Sequence, residues 1–166
     1  KLPAALNEGR PLQAGQAIVV PDVGRAANPS GQVTALRINK ADKMLFVMAG
    51  QQVLGAFPVS IGSEKDPLPV GTLQITSEVR NPDYSYDPAL LRNPKADRKL
   101  KLKPGPNSPV GVLWLGLTKE HGGLHGTAEP SQVGRGETNG CVRLTNWDVV
   151  RLSNLVDKGM SVEVQS

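Results

Sequence analysis

Residues 35–62 read ALRINKADKMLFVMAGQQVLGAFPVSIG. Three short runs in this stretch alternate apolar with polar side chains, and Ala41-Asp42 and Gly50 stand between them as turn residues. The alternation is clearest at Leu36/Ile38, Leu45/Val47 and Val59/Ile61. A period of two is typical of a strand with one buried face. The stretch therefore predicts an antiparallel hairpin followed by a third strand.

Outside this stretch the chain remains rich in turn signals, with 18 Gly and 14 Pro in 166 residues. Further strands are predicted at 71–79, 110–117 and 161–165 because short apolar runs lie there between turn residues. These patterns predict a mainly β fold, a sandwich or incomplete barrel with one or two helices.

One helix is predicted over residues 146–159, NWDVVRLSNLVDKG. Asn146 or Thr145 can cap its first turn, where Asp148 suits the helix dipole. Gly159 can take the left-handed position that ends a helix. Apolar residues recur on one face at helical spacing, namely Val149, Leu152 and Val156 with Val150 and Leu155 beside them.

Composition fits one domain over 31–166 preceded by an N-terminal arm and linker over 1–30. Hydrophobic residues make up 39% of the chain, which suffices for one core. The net charge of +4 suits an anionic polymer. Nucleic-acid binding is not predicted, because the helix-turn-helix, zinc-finger and RNA-binding aromatic patterns are missing. No apolar run is long enough for a transmembrane segment, and the N-terminal Lys suggests a processed product.

The one cysteine of the chain, Cys141, follows Gly140, and His125-Gly126 precedes it in the same segment. A cysteine nucleophile needs a base, a lowered pKa and donors for an oxyanion. His125 is the candidate base, forming a thiolate–imidazolium pair, and a backbone carbonyl near Gly126 is the candidate orienting partner. The N–H groups of Asn139, Gly140 and Cys141 are candidate oxyanion donors.

Two other interpretations stay open on residue chemistry alone. Cys141 can be an inert buried side chain, or it can bind a metal together with His121 and His125. The metal alternative is weak, since these histidines lie in a glycine-rich stretch that does not favour a helical ligand pair. The site hypothesis therefore includes no metal and no organic cofactor.

The segment LHGTAEPSQVGRGETNGCVRLTNWDV (124–149) resembles the signature of the L,D-transpeptidase catalytic domain of YkuD type. In that family a His-Gly precedes Ser/Thr-His-Gly-Cys-x-Arg, to which residues 138–143 correspond here. The turn PLPVGTLQI and the run PGPNSPVGVLWLGL also match in order, so that the resemblance covers about residues 33–164. One departure is Asn139, which stands where the family often has His.

The resemblance implies that Cys141 is acylated, that His125 is the general base held by the Gly126 carbonyl, and that Gly140 and Cys141 N–H groups bind the oxyanion. It implies a peptidoglycan L,D-transpeptidase that forms 3→3 cross-links through a thioester, without a cofactor. The expected partners are stem peptides and carbapenem-type inhibitors, and the expected location is the periplasm or cell wall. Release to water, exchange with a free D-amino acid, and a noncatalytic wall-binding role remain alternatives.

Four further residues are candidates for substrate contacts. The resemblance implies that Arg143 anchors a stem-peptide carboxylate, with a structural salt bridge as the alternative. Thr138 can shape the site. Trp114 can contact substrate or simply pack, and Tyr84 lies in the basic, proline-rich segment 80–109, either a solvated loop or the wall of a groove.

The N-terminal stretch LNEGRPLQAGQAIVVP resembles the end of a peptidoglycan-binding LysM module. Glu8 stands where proline is usual, and the first strand and helix of such a module are missing. The resemblance does not by itself imply glycan binding.

Overall fold

The computed structural model describes residues 14–19, 31–63, 66–86, 88 and 97–166. Most of residues 1–30 lie outside this part, so the arm, its LysM resemblance and the boundary at residue 30 stay predictions. The strands are β1 (Ala35–Asn39), β2 (Met44–Ala49), β3 (Gln52–Pro58), β4 (Gly71–Arg80), β5 (Tyr84–Tyr86), β6 (Leu100–Leu102), β7 (Leu113–Leu117), β8 (Gly123–His125), β9 (Val142–Arg143) and β10 (Ser161–Gln165).

The predicted mainly β fold is confirmed. Within the described ranges, eight strands form one sheet in the order β3-β2-β1-β10-β4-β7-β8-β9, and β5 pairs separately with β6. Residues 35–62 form the hairpin β1–β2 and the third strand β3, as their alternating apolar pattern predicts. The alternating apolar residues face the core, where Leu36, Ile38, Leu45 and Val47 are fully buried.

The two ends of the eight-stranded sheet meet just past β3. Ser60 pairs with Arg143 of β9, with Ser60 N–H donating to the Arg143 carbonyl at 2.9 Å and Arg143 N–H donating back at 2.8 Å. Gly62 then pairs with Thr138. The sheet therefore curls into an incomplete barrel whose seam runs beside the segment that carries Cys141.

The helix is shorter than its apolar pattern predicts. Helix α1 covers Asn146–Ser153, and Thr145 caps it by accepting the Asp148 N–H. Beyond Ser153 the backbone tightens, since Leu155 N–H donates to Leu152 three residues back. The prediction that Gly159 ends the helix is wrong: its φ is +90°, but its N–H donates to Ile75 of β4 at 2.7 Å.

The strand predicted over 110–117 begins only at Leu113. Gly111 has φ +64°, and a Cβ there would lie 2.0 Å from Asn146 Oδ1, so a close approach of the helix start replaces strand pairing. In the segment 80–109, the described residues include the β5–β6 ribbon, where Lys101 Nζ lies 2.9 Å from Asp83 Oδ2. Among the described residues, no helix combines the length and apolar character needed to cross a membrane.

Candidate active site

Strand register brings the sequence-predicted site residues together. β8 pairs with β7 and with β9, so that Trp114, His125 and Arg143 lie side by side across three strands. Cys141 directly precedes β9, and side chains alternate along a strand. Cys141 therefore lies on the same side of the sheet as Arg143 and His125.

The Cys141 thiol is partly buried between two backbone groups. Its Sγ lies 3.5 Å from the carbonyl oxygen of His121, to which it donates. Burial raises the pKa of Cys141 above its ordinary value. The Gly123 N–H and the charges of Lys119 and Arg143 act in the opposite direction, and Asp66 adds to the increase.

The hydrogen bond of His125 fixes its tautomer. Its Nδ1 lies 2.6 Å from the Gly126 carbonyl oxygen. Since a carbonyl can only accept, the proton of the neutral ring belongs on Nδ1, and Nε2 keeps its lone pair. This geometry agrees with the orienting contact that the sequence analysis assigns to Gly126.

Trp114 covers the imidazole of His125. The two rings stack with centroids 5.4 Å apart and an angle of 13° between their planes. The indole also lies over Gly123, where a Cβ would come within 2.4 Å of the Trp114 ring. His125 is 5% exposed, and this burial lowers its pKa to about 4, with Arg143 adding to the decrease and the Gly126 bond opposing it. The ring is therefore neutral at neutral pH.

These shifts differ from the thiolate–imidazolium pair expected from the sequence. Burial of both groups favours an uncharged thiol and an uncharged imidazole.

The turn before Cys141 is held against the tail of β3. Thr138 N–H donates to the Ile61 carbonyl at 2.9 Å, and Ser63 N–H donates to the Thr138 carbonyl at 3.1 Å. The Thr138 hydroxyl donates to the Cys141 carbonyl. Gly140 has φ +74°, a conformation that favours glycine. The oxyanion role of Asn139, Gly140 and Cys141 stays a prediction, and the Asn139 side chain is exposed.

Arg143 is half-buried with its guanidinium close to other charged or polar groups. Among the described residues its buried Nε has no hydrogen-bond partner. Burial lowers the pKa of Arg143, while Glu129, Cys141 and Tyr84 act in the opposite direction. The site therefore offers a cation near the thiol, and Tyr84 of β5 belongs to its surroundings.

Sequence reasoning missed three contributors to this site. Asn146 accepts from Val112 and Thr127 backbone N–H groups, Gly123 admits the Trp114 ring, and Lys119 pairs with Asp66 beside Gly140. Asn146 and Val112 are 34 positions apart and Lys119 and Asp66 are 53, so no local sequence pattern indicates these two contacts. Among the described residues, no group of three or more His, Cys, Asp or Glu side chains could hold a metal ion.

The fold has counterparts among known proteins. The family model described as YkuD, L,D-transpeptidase catalytic domain, matches residues 34–164. The chain therefore belongs to the YkuD L,D-transpeptidase family.

The similarity extends to individual relatives. The Bacillus subtilis (strain 168) protein named "Putative L,D-transpeptidase YkuD" is 28% identical over 166 residues, covering 97% of this chain and 85% of that protein. The structure of an L,D-transpeptidase from Mycobacterium smegmatis matches 81% of this chain with a TM-score of 0.63 and 20% identity. That of the transpeptidase LdtMt1 in complex with imipenem matches 79% with a TM-score of 0.60 and 18% identity. This chain spans 59% and 58% of those two solved chains, respectively.

Proposed function

We propose that the protein is a peptidoglycan L,D-transpeptidase that forms 3→3 cross-links by acyl transfer through a Cys141 thioester. The observation that carries this proposal is the Nδ1–H tautomer of His125, fixed by the Gly126 carbonyl. His125 lies on β8, which pairs with β9, the strand that begins directly after Cys141. A neutral imidazole with a free Nε2 is the form that a general base requires.

The first step transfers the thiol proton to His125 as sulfur attacks a carbonyl carbon. That carbon belongs to the amide between the L-centre of the third stem residue and a terminal D-Ala. A tetrahedral oxyanion forms, for which Gly140 and Cys141 N–H groups are the proposed donors. The C–N bond then breaks, and D-Ala leaves with the proton from His125, giving the thioester.

The second step returns the enzyme to its resting state. A neutral side-chain amine of a neighbouring stem attacks the thioester carbonyl and gives its extra proton to His125. The C–S bond breaks, and the released thiolate takes a proton back from the imidazolium. Both groups end uncharged, as their burial favours.

Arg143 supports recognition of the donor stem. Its guanidinium lies near the thiol, and the D-Ala carboxylate is close to the bond that breaks. A carboxylate there would find a cation and the buried Nε as a donor. Thr138 shapes the turn, and Tyr84 lies near the same guanidinium. We propose that the protein acts in the periplasm or at the cell wall, where this substrate occurs.

The test is incubation with disaccharide-tetrapeptide, followed by mass spectrometry of the products. We expect release of D-Ala and a 3→3 dimer, and a loss of about 1,000-fold or more in Cys141→Ala. Unchanged turnover in Cys141→Ala, or intact substrate with the wild type, would contradict the proposal. Competing amine, water and D-amino-acid acceptors separate cross-linking from carboxypeptidase and exchange activity. Binding to sacculi without turnover would indicate a noncatalytic module.

Acylation by a carbapenem gives an independent test of the nucleophile. We expect imipenem to add its mass to the wild-type protein once per chain and not to Cys141→Ser. Addition of the same mass to Cys141→Ser would place the acylated group elsewhere.

A further inference from the structure

An ion pair lies directly against the backbone turn that carries Cys141. Lys119 Nζ and Asp66 Oδ1 are 3.2 Å apart, and the Lys119 side chain is only 20% exposed. A Cβ built on Gly140 would lie 2.5 Å from Asp66 Oδ1 and 2.6 Å from Lys119 Nζ. The two charged groups therefore occupy the space next to Gly140, one residue before the thiol.

The ion pair joins two loops that meet at this turn. Asp66 follows the tail of β3, and Lys119 begins the β7–β8 turn, where Gly122 N–H donates to the Lys119 carbonyl at 2.9 Å. Gly62 also permits the approach, since a Cβ there would lie 2.2 Å from the Asp66 carbonyl oxygen and 3.0 Å from Gly140 Cα. Residues from three segments thus pack on one side of the turn.

The charged and titratable groups around Cys141 come from each element packed against it. Lys119 on the β7–β8 turn and Arg143 on β9 favour a negative sulfur, and Asp66 after β3 opposes it. His125 on β8 is uncharged at neutral pH. Among the residues that the structure describes, two cations and one anion therefore act on the sulfur. Lys119 and Asp66, one of these cations and the anion, form an ion pair.

We propose that the Lys119–Asp66 ion pair is a positioning device for the nucleophile: it packs the Gly140 turn in place, Lys119 stabilises the Cys141 thiolate as it forms, and Asp66 limits that effect. The inference rests on Cys141 being the nucleophile of the proposed function. Lys119 and Asp66 act through the turn and the local field, without contact to the reacting atoms.

The charge of each partner predicts opposite effects on thiol reactivity. Loss of the Lys119 charge leaves Asp66 unbalanced and disfavours the thiolate, whereas loss of the Asp66 charge leaves Lys119 unpaired and favours it. A neighbouring charge typically changes a thiolate population about tenfold. Because a more basic thiolate is also a better nucleophile, the alkylation rate changes less, by about threefold.

The experiment measures iodoacetamide alkylation of the intact protein by mass spectrometry between pH 5 and 10. Cys141 is the one cysteine in the sequence, so the added mass reports this thiol alone. At pH 7 we expect about threefold slower alkylation in Lys119→Met and about threefold faster alkylation in Asp66→Asn. We expect Lys119→Arg to restore the wild-type profile, and Lys158→Met, which removes an exposed lysine charge, to leave it unchanged.

A purely structural role gives a different pattern. Loosening of the turn would expose the thiol and speed alkylation in both variants at every pH, whereas a charge effect moves the pH midpoint in opposite directions. Shifts in the same direction, superimposable profiles, or no rescue by Lys119→Arg would overturn the inference. If Lys119→Met does not fold, the direction in which Asp66→Asn moves the pH midpoint of alkylation still tests the charge effect.

Alkylation needs no peptidoglycan substrate, so the two proposals fail separately. Opposite midpoint shifts without turnover of tetrapeptides would confirm the effect of the ion pair on the thiol and reject the proposed function. Turnover of tetrapeptides with unshifted alkylation profiles would support the proposed function and reject the ion-pair inference.

Discussion

Substitution of Asn146 tests how the structure holds His125, the proposed general base. Asn146 Oδ1 accepts from Thr127 N–H at 3.1 Å and from Val112 N–H at 3.2 Å, and its Nδ2 donates to the Pro106 carbonyl at 3.1 Å. Thr127 N–H belongs to the same planar peptide group as the Gly126 carbonyl that binds His125. Asn146 thus holds one end of a rigid group whose other end orients the imidazole.

Asn146→Ala removes three hydrogen bonds and leaves two partly buried backbone donors to find other partners. At about 1 kcal/mol for each bond, the expected decrease in the free energy of unfolding is about 3 kcal/mol. That is a large share of the 5–15 kcal/mol typical of a domain. The freed peptide group can rotate, so His125 loses its fixed orientation, and we expect kcat to fall by up to about 100-fold.

Urea unfolding at pH 7 measures the stability change, and D-Ala release from tetrapeptide measures kcat. Asn154→Ala is the matched control, because this exposed asparagine ends the same helix, and we expect it to change stability by less than about 0.5 kcal/mol. A decrease below about 0.5 kcal/mol in Asn146→Ala would refute the hydrogen-bond reasoning. The expected decrease of about 3 kcal/mol together with an unchanged kcat would refute the link between Asn146 and His125.

Two further predictions concern pH and the glycine turn. His125 has a pKa of about 4 in the folded chain against 6.5 ordinarily, so the folded state binds fewer protons between these values and loses stability as pH falls through this window. Between pH 7 and pH 4, the free energy of unfolding measured in urea should fall by about 3 kcal/mol less in His125→Gln than in the wild type. Equal decreases in the two proteins would contradict the lowered pKa of His125. Gly140→Ala should destabilise the folded chain by more than the roughly 1 kcal/mol expected for Gly50→Ala, because Gly50 also has a positive φ but open space around it. Thermal unfolding measures both changes, and equal destabilisation would argue against the contact of Gly140 with Asp66 and Lys119.

The alternating apolar residues predicted the sheet well, because burial on one face is a local property of each strand. Leu36, Ile38, Leu45 and Val47 show this directly. The predicted end of the helix was wrong because burial of an apolar side chain does not by itself require a helical backbone. Val156 keeps the helical apolar spacing and is buried, although the backbone has already left the helix at Ser153.

Residue types brought out the chemical groups of the site but not their charge states. Cys141, His125 and Gly126 were all candidates from the sequence, and the structure places His125 and Gly126 in the expected contact. The neutral state of His125 depends on burial beneath Trp114, which comes from another strand. Likewise, Lys119 and Asp66 are 53 positions apart, so their pairing depends on the packing of two loops.

The seam between Ser60 and Arg143 limits how a peptide can approach the thiol. Both backbone polar groups of Arg143 are engaged by Ser60, while β8 pairs with β9 on the other side. An incoming chain therefore cannot extend the sheet at β9 by strand addition, the mode in which main-chain bonds supply affinity. Any ligand recognised beside this strand must therefore be held through its side chains and charged groups, because main-chain pairing with β9 is not open to it.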